Sequence, residues 1–471
     1  MLEAFKSRLA ERRLIPEGTR VLVGFSGGRD STCLVHLMKH AGIDMVVAHL
    51  HHGQRPEAER EMQLCEAFCK ELDVPFLSGR ADVPRIAAER KMGLEEAGRE
   101  ARYAFFEQAA HSMQCGLIAT AHTSTDHVET VLLFLARGAG LSGLSGIARK
   151  RGNIIRPLLD FSRADTLEYC REHGLWFHDD PANEDISFTR ARIRHRILPE
   201  FESINPGFGR AVMRLSELVR EEDEFLDASA THLLSRAEIP LNGDLRFLTI
   251  NLEAAFDSHV LRSSASLLVR RALRLLAEAL GANLTFDQSQ SIIERLMAGE
   301  KGSITTEGGE VVFEWDVSQL HARTVRVEEI LPTRLPLPGE ISSEVFGWRI
   351  NLIQGAGKKP GPQRASLEAV IDRELLRGHL RVRSWSAGDQ IQPLGFNGTR
   401  KVADLLSEAK LTEAARKRLP ILCDDEGPIW VPNICLSQRV TSSEGGESWF
   451  TAQLLPINGL TGHNMETAAD Y

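Results

Sequence analysis

The chain has 471 residues, 42% hydrophobic and 26% charged, with 56 Lys and Arg against 65 Asp and Glu and a formal charge of −9. That length is too great for one small core and suggests about three domains, while the acidic balance speaks against a protein that coats nucleic acid indiscriminately. No apolar run is long enough to span a bilayer and no apolar leader follows MLEAFKSRLAERR, so a cytoplasmic protein with no membrane partner is expected.

In chain order the first strong signal is VLVGFSGGRDSTCLVHLMK, residues 21–39. Val21, Leu22 and Val23 read as a short buried strand, and Leu34, Val35, Leu37 and Met38 recur at helical spacing after Ser31. A tight turn therefore joins strand to helix. Gly27 and Gly28 permit close backbone approach, and Ser26, Asp30 and Ser31 place oxygens near a helix start whose unpartnered N–H groups favour an anion. The lysine of GxxxxGK[ST] is missing; Arg29 and Asp30 stand there instead. A carboxylate beside phosphates suggests a magnesium ion between them, although a bare GG pair also fits an ordinary capped turn.

Next come strand-like DMVVAHLHHG, helix-like EREMQLCEAFCKEL, strand-like VPFLSG, the helical run LEEAGREARYAFFEQAAHSM, the strand GLIATAHT and the helix TDHVETVLLFLARGAG. This alternation predicts an α/β domain over residues 1–207, a parallel, Rossmann-like nucleotide-binding sheet with helices on both faces and ligands at the carboxyl strand ends. SGGRDS, HLHHGQR and TAHTSTDH all fall at that edge. A further arm holds IIRPLLDFSRADTLEYCREHGLWFHDDPANED, a strand, a capped helix and a polar loop, and then TRARIRHRILP. Residues 208–330 read as a mainly helical domain, LPTRLPLPGE (331–340) as a linker, 341–456 as a small mixed α/β domain and 457–471 as a loose tail.

Several groups carry chemistry. His122, Asp126 and Glu129 share HTSTDHVE at i, i+4 and i+7 and can line one face; a divalent ion suits them, and so does a polar helix start. The histidines of HLHH, from His49 to His52, stand at a strand end and fit caps, metal ligands or phosphate contacts alike. Arg99 lies on a charged helix, where a fixed guanidinium could face a transferring phosphate or simply meet water. Arg190, Arg192, Arg194 and Arg196 form one dense basic set, and Arg400, Lys401, Lys410, Arg416, Lys417 and Arg418 a second. Two separated basic sets on an acidic chain suggest a large polyanion. The seven cysteines, Cys33, Cys65, Cys69, Cys115, Cys170, Cys423 and Cys435, make no CxxC pair and read as buried thiols.

The ordered series resembles the tRNA(Ile)-lysidine synthetase family of the phosphate-loop ATP pyrophosphatase group. SGGRDS fits its SGGxDS loop, AHLHHGQR its AHxxHGxR segment, LEEAGREARY its EEAAR-x-x-RY helix, and ATAHTSTDHVETVLLFLARGAGLSGLSGI its AHHxDDQxET and RGxGxxGLxG stretch. DDPANED, TRARIRHRILP and GDQIQPLGFNGTRKVADLLSEAKLTEAARKRLPIL fit later blocks, so the likeness covers nearly the whole chain. It implies ATP-dependent attachment of free lysine to C2 of the wobble cytidine of a CAU-anticodon isoleucine tRNA. It further implies that Ser26, Gly27, Gly28, Arg29, Asp30 and Ser31 hold ATP, with Asp30 on Mg2+. By the same resemblance, Arg99 and His122 serve activation and Asp126 and Glu129 hold the lysine. Arg190, Arg192, Arg194, Arg196, Arg400, Lys401, Arg416 and Lys417 would then meet tRNA, and a homodimer is compatible. His51, Thr123, Thr125 and His127 depart from the family pattern around the metal and lysine contacts. A tRNA thiolase of the same group and a noncatalytic tRNA-binding protein are the competing readings.

Overall fold

The computed structural model describes residues 1–51, 58–178, 186, 189–355, 358–442 and 448–457. It divides after Phe225 into two units, the second beginning at Leu226.

In the first unit, β1 (Val21–Gly24) lies inside a six-stranded sheet of order β3-β2-β1-β4-β6-β5, where β2 is Met45–His51, β3 Phe76–Arg80, β4 Leu117–Ala119, β5 Lys150–Arg151 and β6 Ile154–Ile155. Every pairing is parallel except that of β5 with β6. Successive side chains of a strand point to opposite faces. Val21 and Val23 therefore pack with Leu34, Leu37 and Met38 of the helix Arg29–His40. Leu22 packs the other way, with Phe106, Ala109 and Ile118, against the helix Leu94–Ser112. That second helix lies so close that a Cβ on Gly24 would fall 2.7 Å from the Phe106 ring. The strand order reverses at β1, which opens a crevice beyond its carboxyl end.

In the second unit the expected helices are present, including Ser266–Ala279 and Phe286–Met297. They pack on an antiparallel sheet that was not anticipated, ordered Glu238–Ile239, Glu253–Asp257, Gln319–Thr324, Val311–Trp315 and Gly302–Thr305. Phe256, Leu273, Leu276, Ile292, Phe313 and Leu320 form the shared core. VVFEW does carry the period-two signal of a half-buried strand, with Val311, Phe313 and Trp315 buried between partly exposed neighbours.

Beyond it, one antiparallel sheet runs through Thr333–Arg334, Arg381–Arg383, Ile421–Asp424, Gly427–Val431 and Cys435–Leu436, and a second through Gly339–Ser343, Trp348–Gln354, Trp449–Pro456 and Glu368–Asp372. LPTRLPLPGE thus contributes strand residues, and its Leu335 is buried in the same core as Trp348 and Trp430. The single helical segment expected over RKVADLLSEAKLTEAARKRLP is two helices, Val402–Glu408 and Glu413–Arg418. Lys410 breaks them, with a φ of +55° that no helix interior accepts. The tail expected over 457–471 lies outside the described residues from 458 onward.

Candidate active site

Gly24 ends the strand, and the loop follows from Phe25. Gly27 has a φ of +76°, and a Cβ there would also meet Cys65 Sγ at 3.0 Å, so conformation and space both require glycine. Gly28 is the N-cap of the helix Arg29–His40. Ser31 Oγ donates to Gly28 O at 2.8 Å and accepts from Ser26 N at 3.2 Å, while Ser26 Oγ accepts from Gly28 N at 3.3 Å. The two serines therefore set the turn from inside, and the loop is braced before any ligand arrives. His178 N donates to Gly27 O at 2.8 Å and covers its back.

Asp30, in the first turn, is drawn toward the helix Arg163–Glu172. Thr166 Oγ1 donates to its Oδ1 at 2.5 Å, and Arg163 Nε lies 3.3 Å from its Oδ2. Burial nevertheless pushes its carboxyl above the usual range, only partly offset by Thr166 and Arg163. Such a carboxylate gains from a further cation.

Asp126 lies near enough to act electrostatically on both Asp30 and His122, and Glu129 is linked to it through Arg194. Asp126 serves two ends. Its Oδ2 accepts from Thr123 N and Thr123 Oγ1, both at 2.8 Å, completing a capping box for the helix Ser124–Ala136. Its Oδ1 lies 4.0 Å from Arg194. Glu129 is 1% exposed and gripped bidentately by Arg194, at 2.5 Å to Oε1 and 2.8 Å to Oε2. Arg194 was grouped by sequence with arginines facing RNA; here it turns inward. A single π-helical turn over Ile193–Ile197 re-phases the side chains after the helix Thr189–Arg192, leaving Arg190, Arg192 and Arg196 exposed.

A second, cationic wall faces His122. Its imidazole is lowered to about 4, first by burial and then by Arg156, Arg99 and Arg190, against the pull of Asp126. His122 Nδ1 hydrogen-bonds Thr120 Oγ1 at 3.0 Å. Arg99 lies over the Tyr103 ring at 4.9 Å. Arg156 is buried, with its guanidinium on Ala148 O at 2.7 Å. Sequence reasoning missed Arg156, Arg163 and Thr166. An arginine inside the apolar run IIRPLL was a readable signal for the first; Arg163 and Thr166 follow the capping Ser162 and carried none.

The remaining candidates belong to the second unit. Arg400 hydrogen-bonds Glu408 at 3.0 Å, Lys401 is exposed and Lys417 is 2.9 Å from Glu413. Arg418, read as part of that basic set, is buried over the Phe346 ring at 5.1 Å. Residues 52–57 of the histidine segment and 179–185 of DDPANED lie outside the described residues.

Buried neutral histidines give a pH prediction. His36, at the Tyr169 hydroxyl, and His127, against Ile147, are both lowered to about 4, chiefly by burial. The unfolded chain binds these protons near pH 6.5 and the folded chain only near 4, so stability falls as pH drops through that window. Urea denaturation at stepped pH should show this loss, with a shallower slope for His127→Gln. An unchanged slope would mean that His127 is charged in the fold.

The site and sheet define a nucleotide-handling α/β protein, and residues 1–201 match the family model described as a PP-loop domain. Residues 380–453 match that of the TilS substrate C-terminal domain. The tRNA(Ile)-lysidine synthase of Geobacillus kaustophilus is 31% identical over 97% of this chain and 100% of its own length. That of Geobacter sulfurreducens is 30% identical over 92% of each chain. A solved U34-tRNA thiolase from Methanococcus maripaludis is similar at 17% identity over 46% of this chain and 78% of its own, with a TM-score of 0.41. The chain belongs to the tRNA(Ile)-lysidine synthase family.

Proposed function

We propose that this protein is the ligase that uses ATP to join free L-lysine to the wobble cytidine of CAU-anticodon isoleucine tRNA in the cytoplasm. The product, lysidine, changes codon reading from AUG to AUA and identity from Met to Ile. The observation that carries the reading is the convergence of a braced phosphate loop, an acidic pair and a cationic wall at one sheet edge, in a chain of this family.

In the first step the O2 oxygen of cytosine attacks the α-phosphorus of ATP and pyrophosphate leaves. The loop N–H groups and the hydroxyls of Ser26 and Ser31 receive the departing phosphates. Arg99 stabilises negative charge that builds at the α-phosphate, beside a neutral His122 that can donate one hydrogen bond without adding charge. In the second step the lysine side-chain amine attacks C2, and the C2–O2 bond breaks to release AMP. Asp126, whose Oδ1 has only a 4.0 Å approach from Arg194, faces the lysine's ammonium groups and takes the proton that the attacking nitrogen loses, while Glu129, buried against Arg194, acts on the lysine side of the site by fixing that arginine.

Among the described residues no three His, Cys, Asp or Glu converge as a metal cage. Magnesium needs none, since it is held by one or two carboxylates together with substrate phosphates. Asp30, buried and under-compensated, fits that role, and the ion would supply charge neutralisation for the phosphates. Thiolase chemistry fits less well. Cys65 and Cys69 are buried with thiols pushed up to about 12, and Cys33 and Cys170 are fully buried, so no exposed thiol pair can relay sulfur among the described residues.

Labelled lysine, ATP and the tRNA should yield lysine covalently held by RNA; no incorporation with this tRNA would overturn the proposal. Glu129→Ala should lower lysine transfer about tenfold or more while sparing pyrophosphate release, in line with loss of one charged contact. Equal loss in both steps would move Glu129 to activation.

A further inference from the structure

A loop that receives phosphate must turn its N–H groups toward the anion and its carbonyls away from it. Three of those carbonyls are held back here. The buried His49 donates from Nδ1 to Phe25 O at 2.9 Å. His178 N donates to Gly27 O at 2.8 Å, and Gly28 O accepts from Ser31 Oγ at 2.8 Å and from Thr32 N at 2.9 Å. Residues 175–178 thus run along the loop as a strap, with His178 paired to Gly28 in a parallel bridge and the Trp176 ring 3.4 Å from where a Gly27 Cβ would stand. The strap has a second anchor. His178 Nε2 lies 3.2 Å from Glu61 Oε1, on the helix Ala58–Glu71. The same helix brings Cys65 against Gly27, so loop, strap and helix meet at one glycine.

We propose that Glu61 and His178 form a clasp that keeps the phosphate loop in its ATP-receiving shape, which makes both of them positioning residues for nucleotide binding. The inference rests on the ATP use proposed above and adds two residues to it. Their side chains are 25% and 37% exposed, too open for core packing to account for the contact, and an ion pair of that exposure contributes little to global stability. Its effect is local. The imidazole–carboxylate contact ties the strap to a second helix, and the strap in turn holds Gly27 O away from the anion. Cutting the tie frees the strap, so that fewer molecules hold the competent loop at any moment. A ligand that binds one of two conformers loses affinity by the competent fraction, and regains full occupancy when its concentration is raised. The clasp therefore governs the KM for ATP and leaves the chemical step alone.

The test uses the full chain, equilibrium binding of ATP with magnesium, and pyrophosphate release at varied ATP. Glu61→Ala and His178→Ala should each weaken ATP binding and raise its KM about tenfold, as a competent fraction near one in ten requires, while kcat at saturating ATP stays within about threefold. Because the two side chains act through each other, the double variant should be no weaker than either single one, within about twofold. His178→Gln, whose amide can donate at a similar reach, should recover most of the loss. ATP binding by both single variants within about twofold of wild type overturns the proposal. Losses that multiply to about a hundredfold in the double variant do so too, since they mark independent roles, as do a fall in kcat with KM unchanged and a His178→Gln variant as weak as His178→Ala. Wild-type protein that binds ATP but incorporates no lysine removes the function proposed above, and the double variant still decides the clasp. Lysine incorporation by wild type together with unimpaired ATP binding by the variants removes only the clasp.

Discussion

Asp30→Asn should reduce both pyrophosphate release and lysine incorporation by about 10²–10³-fold, the scale seen when one preorganised electrostatic contact to a reacting group is lost. The substitution keeps the shape and can still accept from Thr166, so the loop should fold as before. What it removes is the negative charge, which burial already holds at a disadvantage and which a bound cation would stabilise. Steady-state assays of the two products, with circular dichroism as a control for folding, measure this. A variant with normal pyrophosphate release would show that Asp30 only braces the helix Arg163–Glu172.

Arg194→Ala should destabilise the first unit by about 3–5 kcal/mol, because it strands a buried carboxylate without its partner. Glu129 is 1% exposed and receives two hydrogen bonds from that one guanidinium, so water cannot replace the lost contact. Urea denaturation should show the loss, and Glu129→Ala added in the same chain should recover much of it. Arg192→Ala and Arg196→Ala, on exposed side chains, should leave stability within about 0.5 kcal/mol. If Arg194→Ala proved equally silent, the ion pair would not be formed in solution.

The phosphate loop was legible because its information is local. VLV, the glycine pair and the amphipathic run after Ser31 each report on a neighbouring few residues, and β1 with its following helix stands where they point. The cap at Ser162 was legible for the same reason. The partners of Asp30 were not: Thr166 lies 136 residues away in sequence, and no pattern near either residue announces the other. Arg194 was misread for a subtler reason. Four arginines at alternate positions look alike in sequence, and only the change from α to π winding at Ile193 decides which of them faces inward. The middle sheet was missed because its strands are short and stand beside strongly periodic helices, although alternation in VVFEW was present to be counted.

The distance between Asp30 and its partners also bears on the order in which a ribosome can complete the enzyme. Strands β1 to β4 are all synthesised by Ala119, so most of the parallel sheet can form while later residues are still being added. At that stage Asp30 has neither Thr166 nor Arg163, and Glu129, once made, waits for Arg194. A nascent chain therefore carries its phosphate loop well before the groups that hold its carboxylates in place. Competence arrives late, with the emergence of residues 163–194, and a fragment ending before Arg163 should contain the motif without the machine.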